Sequence, residues 1–107
     1  MAKYLFAYHG GAAPDSESPE EVQRIMGLWN DWYAELGGAI VDGGAPIMLA
    51  KTVNADGSVS DGGGANPLTG YTIVSADSLD AAAALASGCP IRQSGGSIEV
   101  AELIDMG

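Results

Sequence analysis

A chain of 107 residues with 14 acidic and 4 basic side chains carries a net charge of -10, which repels phosphate backbones and anionic lipid, so neither nucleic acid nor a membrane is an expected partner. Apolar residues make up 47% and charged residues 17%, a composition typical of a single globular domain over residues 1–107 and not of a disordered segment. The single cysteine, Cys89, excludes an internal disulfide, and because neither a signal peptide nor a long apolar run is evident, we expect a cytoplasmic protein.

The first elements along the chain are a strand and a helix. Lys3 to His9 is a short apolar and aromatic run bounded by glycines, as is typical of a strand. Ser18, Pro19 and Glu21 have the spacing of a capping box, so a helix begins there, and Gly37-Gly38 ends it. Its apolar residues recur at three- and four-residue spacing and predict one stripe facing the core: Val22, Ile25, Met26, Trp29, Trp32 or Tyr33, and Leu36.

The rest of the chain alternates short strands, glycine turns and a second helix. In order, the pattern predicts a brief strand (39–41), a glycine turn (42–46), a strand (47–53), a hairpin tip (54–57), a return strand (58–60), a glycine-rich loop (61–67), a central strand (68–76), a helix capped by residues 77–80 that runs to residue 87, and a last strand (97–103). This order predicts an α+β fold, a ferredoxin-like two-layer sandwich of an antiparallel sheet and two main helices.

The first strand is apolar on both of its faces. Its side chains alternate, with Tyr4, Phe6 and Tyr8 on one face and Leu5, Ala7 and His9 on the other. Two helices cover only one face of the sheet, and leaving the other in water costs roughly 25 cal/mol for each Å² of apolar surface. We therefore expect the chain to form a homodimer with itself, a second copy covering this face. The alternative is that the hairpin and the glycine-rich loop cover it within one chain.

Short motifs along almost the whole chain carry a family resemblance. They are KYLFAYHGG at residues 3–11, a helix bearing Met26, Trp29, Trp32 and Leu36, Val41-Asp42-Gly43-Gly44, Asp61-Gly62, Gly70-Tyr71, Ser78-Leu79-Asp80, Gly88-Cys89-Pro90 and Ser97-Ile98-Glu99-Val100. Together they resemble the YCII-related family, especially its DGPF-type branch. The resemblance implies a dimeric α+β barrel, in which two ferredoxin-like sheets face each other and leave pockets between sheet and helix. Most members are uncharacterised, and a histidine-aspartate pair has been proposed as catalytic in part of the family.

The chain departs from this family pattern at two places. The histidine that some relatives carry on the first helix is absent, and Met26 stands near its place, so the helix-borne pair does not transfer. In the DGPF-type branch, a proline, a phenylalanine and a short charged stretch follow Asp-Gly, whereas Gly63 and Gly64 follow here.

His9 and Asp42 are the candidate catalytic residues. His9 ends the first strand at a glycine turn, and its imidazole is the side chain best suited to general acid or base catalysis near neutral pH. Asp42 ends the second strand in a similar setting, so the two side chains could share a proton if these strands lie close together. The alternative is that His9 bonds to backbone at a turn and Asp42 caps its own glycine turn.

Aromatic residues are the candidates for ligand binding. Tyr8, Trp29 and Tyr71 could wall a pocket together with Trp32 and Tyr33, because ligand sites are mostly apolar with a few placed polar groups. The same stripe could instead be core. Arg24 and Arg92 could hold a carboxylate ligand or could be solvated surface.

Signatures of cofactors and metals are missing from the sequence. Neither a phosphate loop nor a dinucleotide fingerprint is present, and no histidine or cysteine spacing indicates a metal site, so we expect no cofactor and no metal. The acidic cluster fits the start of a capped helix better than a metal site; its members are Asp15, Glu17, Glu20 and Glu21. Cys89, between glycine and proline, is expected to be a small apolar filler.

The leading hypothesis is a homodimeric small-molecule-binding domain. Lyase or isomerase chemistry by the His9 and Asp42 pair is its mechanistic extension, by analogy with other dimeric α+β barrels. The alternative is a non-enzymatic interaction or regulatory module whose dimer surface is the working part. A structural protein without a ligand is the third possibility.

Overall fold

A computed structural model describes residues 1–11 and 18–106 of the chain, and it has two layers, an antiparallel sheet and two helices. The elements are β1 (Ala2–His9), α1 (Pro19–Leu36), β2 (Ile40–Pro46), β3 (Lys51–Val53), β4 (Val59–Asp61), β5 (Leu68–Ala76), α2 (Leu79–Ala86) and β6 (Ser97–Leu103). Four strands form the sheet in the order β2-β5-β1-β6, which is the ferredoxin-like order, and β3 and β4 form a separate hairpin. Within the described ranges, no helix has the length and apolarity needed to cross a membrane.

Local sequence signals set the ends of both helices. The Ser18 hydroxyl accepts a hydrogen bond from the Glu21 backbone N–H (3.2 Å), and the Ser78 hydroxyl accepts one from Ala81 (3.0 Å), so each helix has a serine N-cap. Gly37 ends α1 with a φ of 51°, a conformation that favours glycine. The predictions for β1, β5, β6 and both helices are confirmed to within a residue or two.

The prediction for residues 42–50 is wrong in two respects. Residues 42–46 form the second half of β2 rather than a turn, and residues 47–50 lie outside any strand. The pairing of β2 with β5 shifts register on either side of Asp42, so the glycines are taken up as bulges within the strand. The Asp42 carboxylate accepts a hydrogen bond from the Gly44 N–H (2.9 Å), which holds one of these bulges.

The core lies between the sheet and the helices. Phe6 and Val74, on the two central strands, are fully buried, and the Phe6 ring stacks on Trp32 of α1 with ring centroids 6.0 Å apart. The Trp32 indole N–H donates to the Leu85 carbonyl (3.1 Å), so the ring is fixed by packing on one side and a hydrogen bond on the other. The face of α2 that meets the core carries small alanine side chains, which allow close approach.

The opposite face of the sheet has no helix on it. Leu5 of β1 pairs with Ile73 of β5 on this face, and both side chains are half-buried. The hairpin leaves Val53 72% and Val59 60% exposed, so it does not serve as the cover. The single chain is therefore an open sheet and not a closed barrel. Its extents of 45 × 42 × 18 Å describe a flat molecule, and its 15.1 Å radius of gyration exceeds the value of about 13 Å expected for this length.

Gly44 is the position at which a side chain would disturb this fold most directly. It has a φ of 74°, and a Cβ there would stand 1.7 Å from the Tyr71 carbonyl oxygen. We expect Gly44→Ala to lower the free energy of unfolding by about 2–4 kcal/mol, because it combines backbone strain with a clash against β5. Urea denaturation measures this change. Gly43→Ala is the matched control, since a Cβ there meets nothing within 4 Å; equal losses in the two variants would contradict the bulge geometry.

Candidate functional site

A cleft of about 860 Å³ lies between α1, β2 and the adjoining ends of β1 and β5. The N-terminal half of α1 forms one wall because it stands away from the sheet: Trp32 and Leu36 are buried, whereas Met26 is 59% exposed. Residues 43–48 form the facing wall. The volume lies in the range of sites that enclose a small organic molecule. The predicted core stripe of α1 is therefore half core and half cleft wall.

Aromatic rings line the inner part of the cleft. Trp29 stands edge-on to Tyr8, with ring centroids 5.1 Å apart at 84°, and edge-on to Trp32 at 5.7 Å and 81°. Tyr33 completes the group, 6.0 Å from Trp29. These contacts hold Trp29 between a buried ring and the cleft, so the wall it presents is rigid and apolar.

Three hydroxyl groups form a hydrogen-bonded network beside these rings. The Thr72 hydroxyl contacts the hydroxyls of Tyr8 (2.7 Å) and Tyr33 (3.1 Å), and it donates to the Gly43 carbonyl (3.2 Å). All three contacts are satisfied at once only if Thr72 gives its single proton to the carbonyl, which can only accept, and both tyrosines donate to Thr72. Burial raises the pKa of the Tyr8 phenol well above its ordinary value, so this donor keeps its proton.

The residues predicted to bind a ligand all adjoin the cleft, but not all by their side chains. Tyr8, Trp29 and Tyr71, from three different elements, line it. Tyr71 alternates with Thr72 along β5 and pairs with Ala7, so its side chain lies on the helix-free face with Ile73, and its backbone is the part next to Gly44. Trp32, which the same pattern included, is a core residue that is 3% exposed. The structure thus separates one stripe of aromatics into a core member and cleft members, and the binding role of the latter stays a proposal.

His9 and Asp42 are not brought together. Strand β5 lies between β1 and β2, so the condition under which the two side chains would share a proton is not met. Asp42 is level with Ile73, which pairs with Leu5, so it stands about 13 Å along the strands and about 10 Å across them from His9. The Asp42 carboxylate instead accepts from the Gly44 N–H; the alternative interpretation predicts this local bond, although the glycines form a strand bulge and not a turn.

His9 is bonded to backbone and to a different carboxylate. Its Nδ1 lies 3.0 Å from the Asn66 carbonyl and 3.2 Å from the Pro67 carbonyl, so this nitrogen carries a proton and donates. Its Nε2 lies 3.1 Å from Glu99 Oε1 on the neighbouring strand β6. The ring is 7% exposed because the end of the glycine-rich loop covers it. His9 lies outside the cleft lining, although Gly10 and Gly11, the next two residues, belong to it.

The other candidate residues are structural or superficial. Cys89 is buried in the core, and this burial raises the pKa of its thiol to about 11, which agrees with an unreactive filler. Arg24 donates to the Glu21 carboxylate one turn back, and Arg92 donates to the Ser87 carbonyl (2.7 Å); neither lines the cleft. Among the described residues no group of three or more histidine, cysteine or acidic side chains could hold a metal. Asp15 and Glu17 lie outside the described residues.

Sequence reasoning did not identify Thr72 or Glu99 as site residues. The sequence around Thr72 is typical of any strand threonine, and its role depends on contacts with Tyr33 of α1 and Gly43 of β2. Glu99 could be recognised as the partner of His9 only from the register of β1 with β6, which places Ala7 opposite Glu99 and His9 opposite Ser97. No local pattern encodes that register.

The strand order, the two helices on one face and the aromatic cleft define a ferredoxin-like α+β domain with a cavity of small-molecule size. The sequence profile of the YCII-related domain matches residues 4–107, so the chain belongs to the YCII-related family. This confirms the family expected from the motifs, and placement in the DGPF-type branch stays a prediction. A search of curated proteins found no significant match.

Proposed function

We propose that this domain binds a small organic molecule in the cleft between α1 and β2. The observation that carries the proposal is the combination, in one 860 Å³ cleft, of an aromatic wall with a fixed hydroxyl network. Such a combination is typical of ligand sites, in which apolar walls supply affinity and a few polar groups fix orientation. Met26 and Met48 are exposed at this cleft, and a bound molecule would shield them from water.

A fragment screen tests the proposal. The library contains uncharged and charged fragments, screened at millimolar concentration. We expect some of them to raise the melting temperature and to change the fluorescence of the tryptophans, because Trp29 lines the cleft. Met26→Lys places a charge in the apolar wall and should weaken binding at least about tenfold. Met106→Lys is the matched control, since Met106 is 93% exposed and lies outside the lining.

Two outcomes would count against small-molecule binding. One is a screen in which no fragment changes the melting temperature or the tryptophan fluorescence. The other is binding that Met26→Lys and Met106→Lys weaken equally. Either result would favour the non-enzymatic interaction module, for which the exposed apolar side chains of the hairpin and of the segment just before it are the supporting observation. Those side chains are Met48, Leu49, Val53 and Val59.

A homodimer is the proposed working unit. The support is the helix-free face of the sheet, where Leu5 and Ile73 are half-buried and Leu103 is 37% exposed, together with the flat shape of the single chain. A second copy would cover this face with the same face, as two-fold symmetric dimers do. Apolar surface that one chain leaves in water would then be buried between two sheets about 10 Å apart.

Charge substitutions on this face test the dimer. We expect the wild-type protein to sediment as a dimer at micromolar concentration, and Ile73→Asp and Leu103→Asp to shift it to monomer, because each buries an unpaired charge in the interface. Leu79→Asp is the control, since Leu79 is 49% exposed on α2 in the helical layer. Circular dichroism verifies that each variant is folded. A monomeric wild-type protein would contradict the dimer.

Acid–base catalysis at His9 is the second candidate function. The contact between His9 Nε2 and the Glu99 carboxylate forms a histidine–carboxylate pair that can hold and transfer a proton. Lyase or isomerase chemistry commonly uses such a group, and His9 is followed directly by Gly10 and Gly11, which line the cleft. Glu99 rather than Asp42 is the carboxylate in contact with it.

Turnover of a ligand found in the screen would test this second function. We expect His9→Ala to reduce turnover by about 10²-fold or more, the usual contribution of a general acid or base, while the dissociation constant changes little. Glu99→Gln should reduce turnover as well, and Asp42→Asn should not. Unchanged turnover in His9→Ala would contradict catalysis by His9. Loss of turnover in Asp42→Asn alone would show that the catalytic carboxylate is Asp42, which lies far from His9.

A further inference from the structure

The lining of the cleft is uncharged. Although the sequence has 14 acidic and 4 basic residues, none of the described residues that line the cleft is aspartate, glutamate, lysine, arginine or histidine. An ion that entered the cleft would lose hydration without meeting a counter-charge from these residues. A neutral molecule loses far less, so the lining favours an uncharged ligand.

One arrangement of the hydroxyl protons satisfies every contact of the network. In it Thr72 donates to Gly43, and Tyr8 and Tyr33 donate to Thr72, so all three hydroxyl protons are used inside the protein. Each tyrosine oxygen still has acceptor capacity, because a hydroxyl oxygen offers two lone pairs. A polar group of the ligand that reaches these oxygens therefore has to be a donor. An acceptor-only group would meet lone pairs and gain no hydrogen bond.

The walls favour a flat ring. Trp29 stands edge-on between Tyr8 and Trp32, with Tyr33 beside it, and aromatic pairs in such offset and edge-on arrangements are favourable. A planar aromatic ligand would extend this arrangement by one ring. The methionine side chains at the cleft, Met26 and Met48, adapt readily to the face or edge of such a ring.

We propose that the cleft takes a neutral, flat aromatic molecule whose polar group is an N–H or O–H donor, held by a hydrogen bond to the Tyr8 or Tyr33 oxygen. This inference rests on the proposed small-molecule function and specifies its ligand class. It specifies three properties of the ligand, namely charge, donor polarity and aromaticity, and the first two can each be varied alone within one set of aromatic probes.

A matched series of four probes tests the class by calorimetry. The probes are 3-methylindole, which is neutral with a donor; 3-methylbenzofuran, which is neutral without one; indole-3-acetate, an anion; and tryptamine, a cation. We expect 3-methylindole to bind about 3- to 10-fold tighter than 3-methylbenzofuran, the preference that one net hydrogen bond supplies. It should bind at least about tenfold tighter than either ion.

Tyrosine variants identify the acceptor. Tyr33→Phe and Tyr8→Phe each remove one hydroxyl of the network, and we expect the preference for 3-methylindole over 3-methylbenzofuran to fall toward one in at least one of them. Tyr4→Phe is the matched control, because Tyr4 lies in the core and does not line the cleft. Tyr33 is only half-buried, so its variant is informative even if Tyr8→Phe does not fold.

Each failure has a distinct meaning. Equal affinity for the two neutral probes would overturn the donor requirement, and tighter binding of indole-3-acetate or tryptamine would overturn the neutral class; both would leave small-molecule binding intact. Failure of all four probes alongside binding of non-aromatic molecules in the same cleft would overturn the aromatic class alone. If probe binding weakened in proportion to dimer formation, the cleft would be occupied by the second chain, and the proposal would fall.

Discussion

The packing of Trp32 of α1 against Phe6 of the central strand β1 is the interaction on which the rest of the structure depends. It anchors the C-terminal half of α1 against Phe6, while the helix, 18 residues and about 27 Å long, continues past the part of the sheet that it covers. Its N-terminal half therefore extends beyond the strands and leaves a space beneath it. The cleft follows from this geometry, and so does the division of one aromatic stripe between core and cleft.

Much of the fold could be predicted because its signals are local. The serine caps, the glycines after α1 and the alternation in β5 and β6 each depend on a few neighbouring residues. The error at residues 42–46 arose because glycine-rich sequence is equally typical of a turn and of a bulged strand. Only the close approach of Gly44 to Tyr71, residues far apart in sequence, distinguishes the two.

The candidate site was less predictable, since its geometry depends on strand order and register. Tyr8, Trp29 and Tyr71 could be proposed from residue type alone, because aromatic side chains are common in the lining of ligand sites. The partner of His9 could not, because a strand inserted between β1 and β2 removes Asp42 from reach and pairing with β6 supplies Glu99. The same insertion places Thr72 of β5 between α1 and β2, where three hydroxyls meet.

The separate hairpin of β3 and β4 is expected to be less stable than the rest of the molecule. Strands β3 and β4 pair only with each other, and a lone two-stranded ribbon in water is marginally stable at best. Its opening would disturb neither Trp32 nor the four-stranded sheet, so it forms a local unfolding unit of low free energy. Met48, which reaches the cleft, lies just before β3. Fraying of the hairpin would thus loosen one wall of the cleft while the rest of the fold stays intact. A ligand would then enter the cleft without a global motion of the protein.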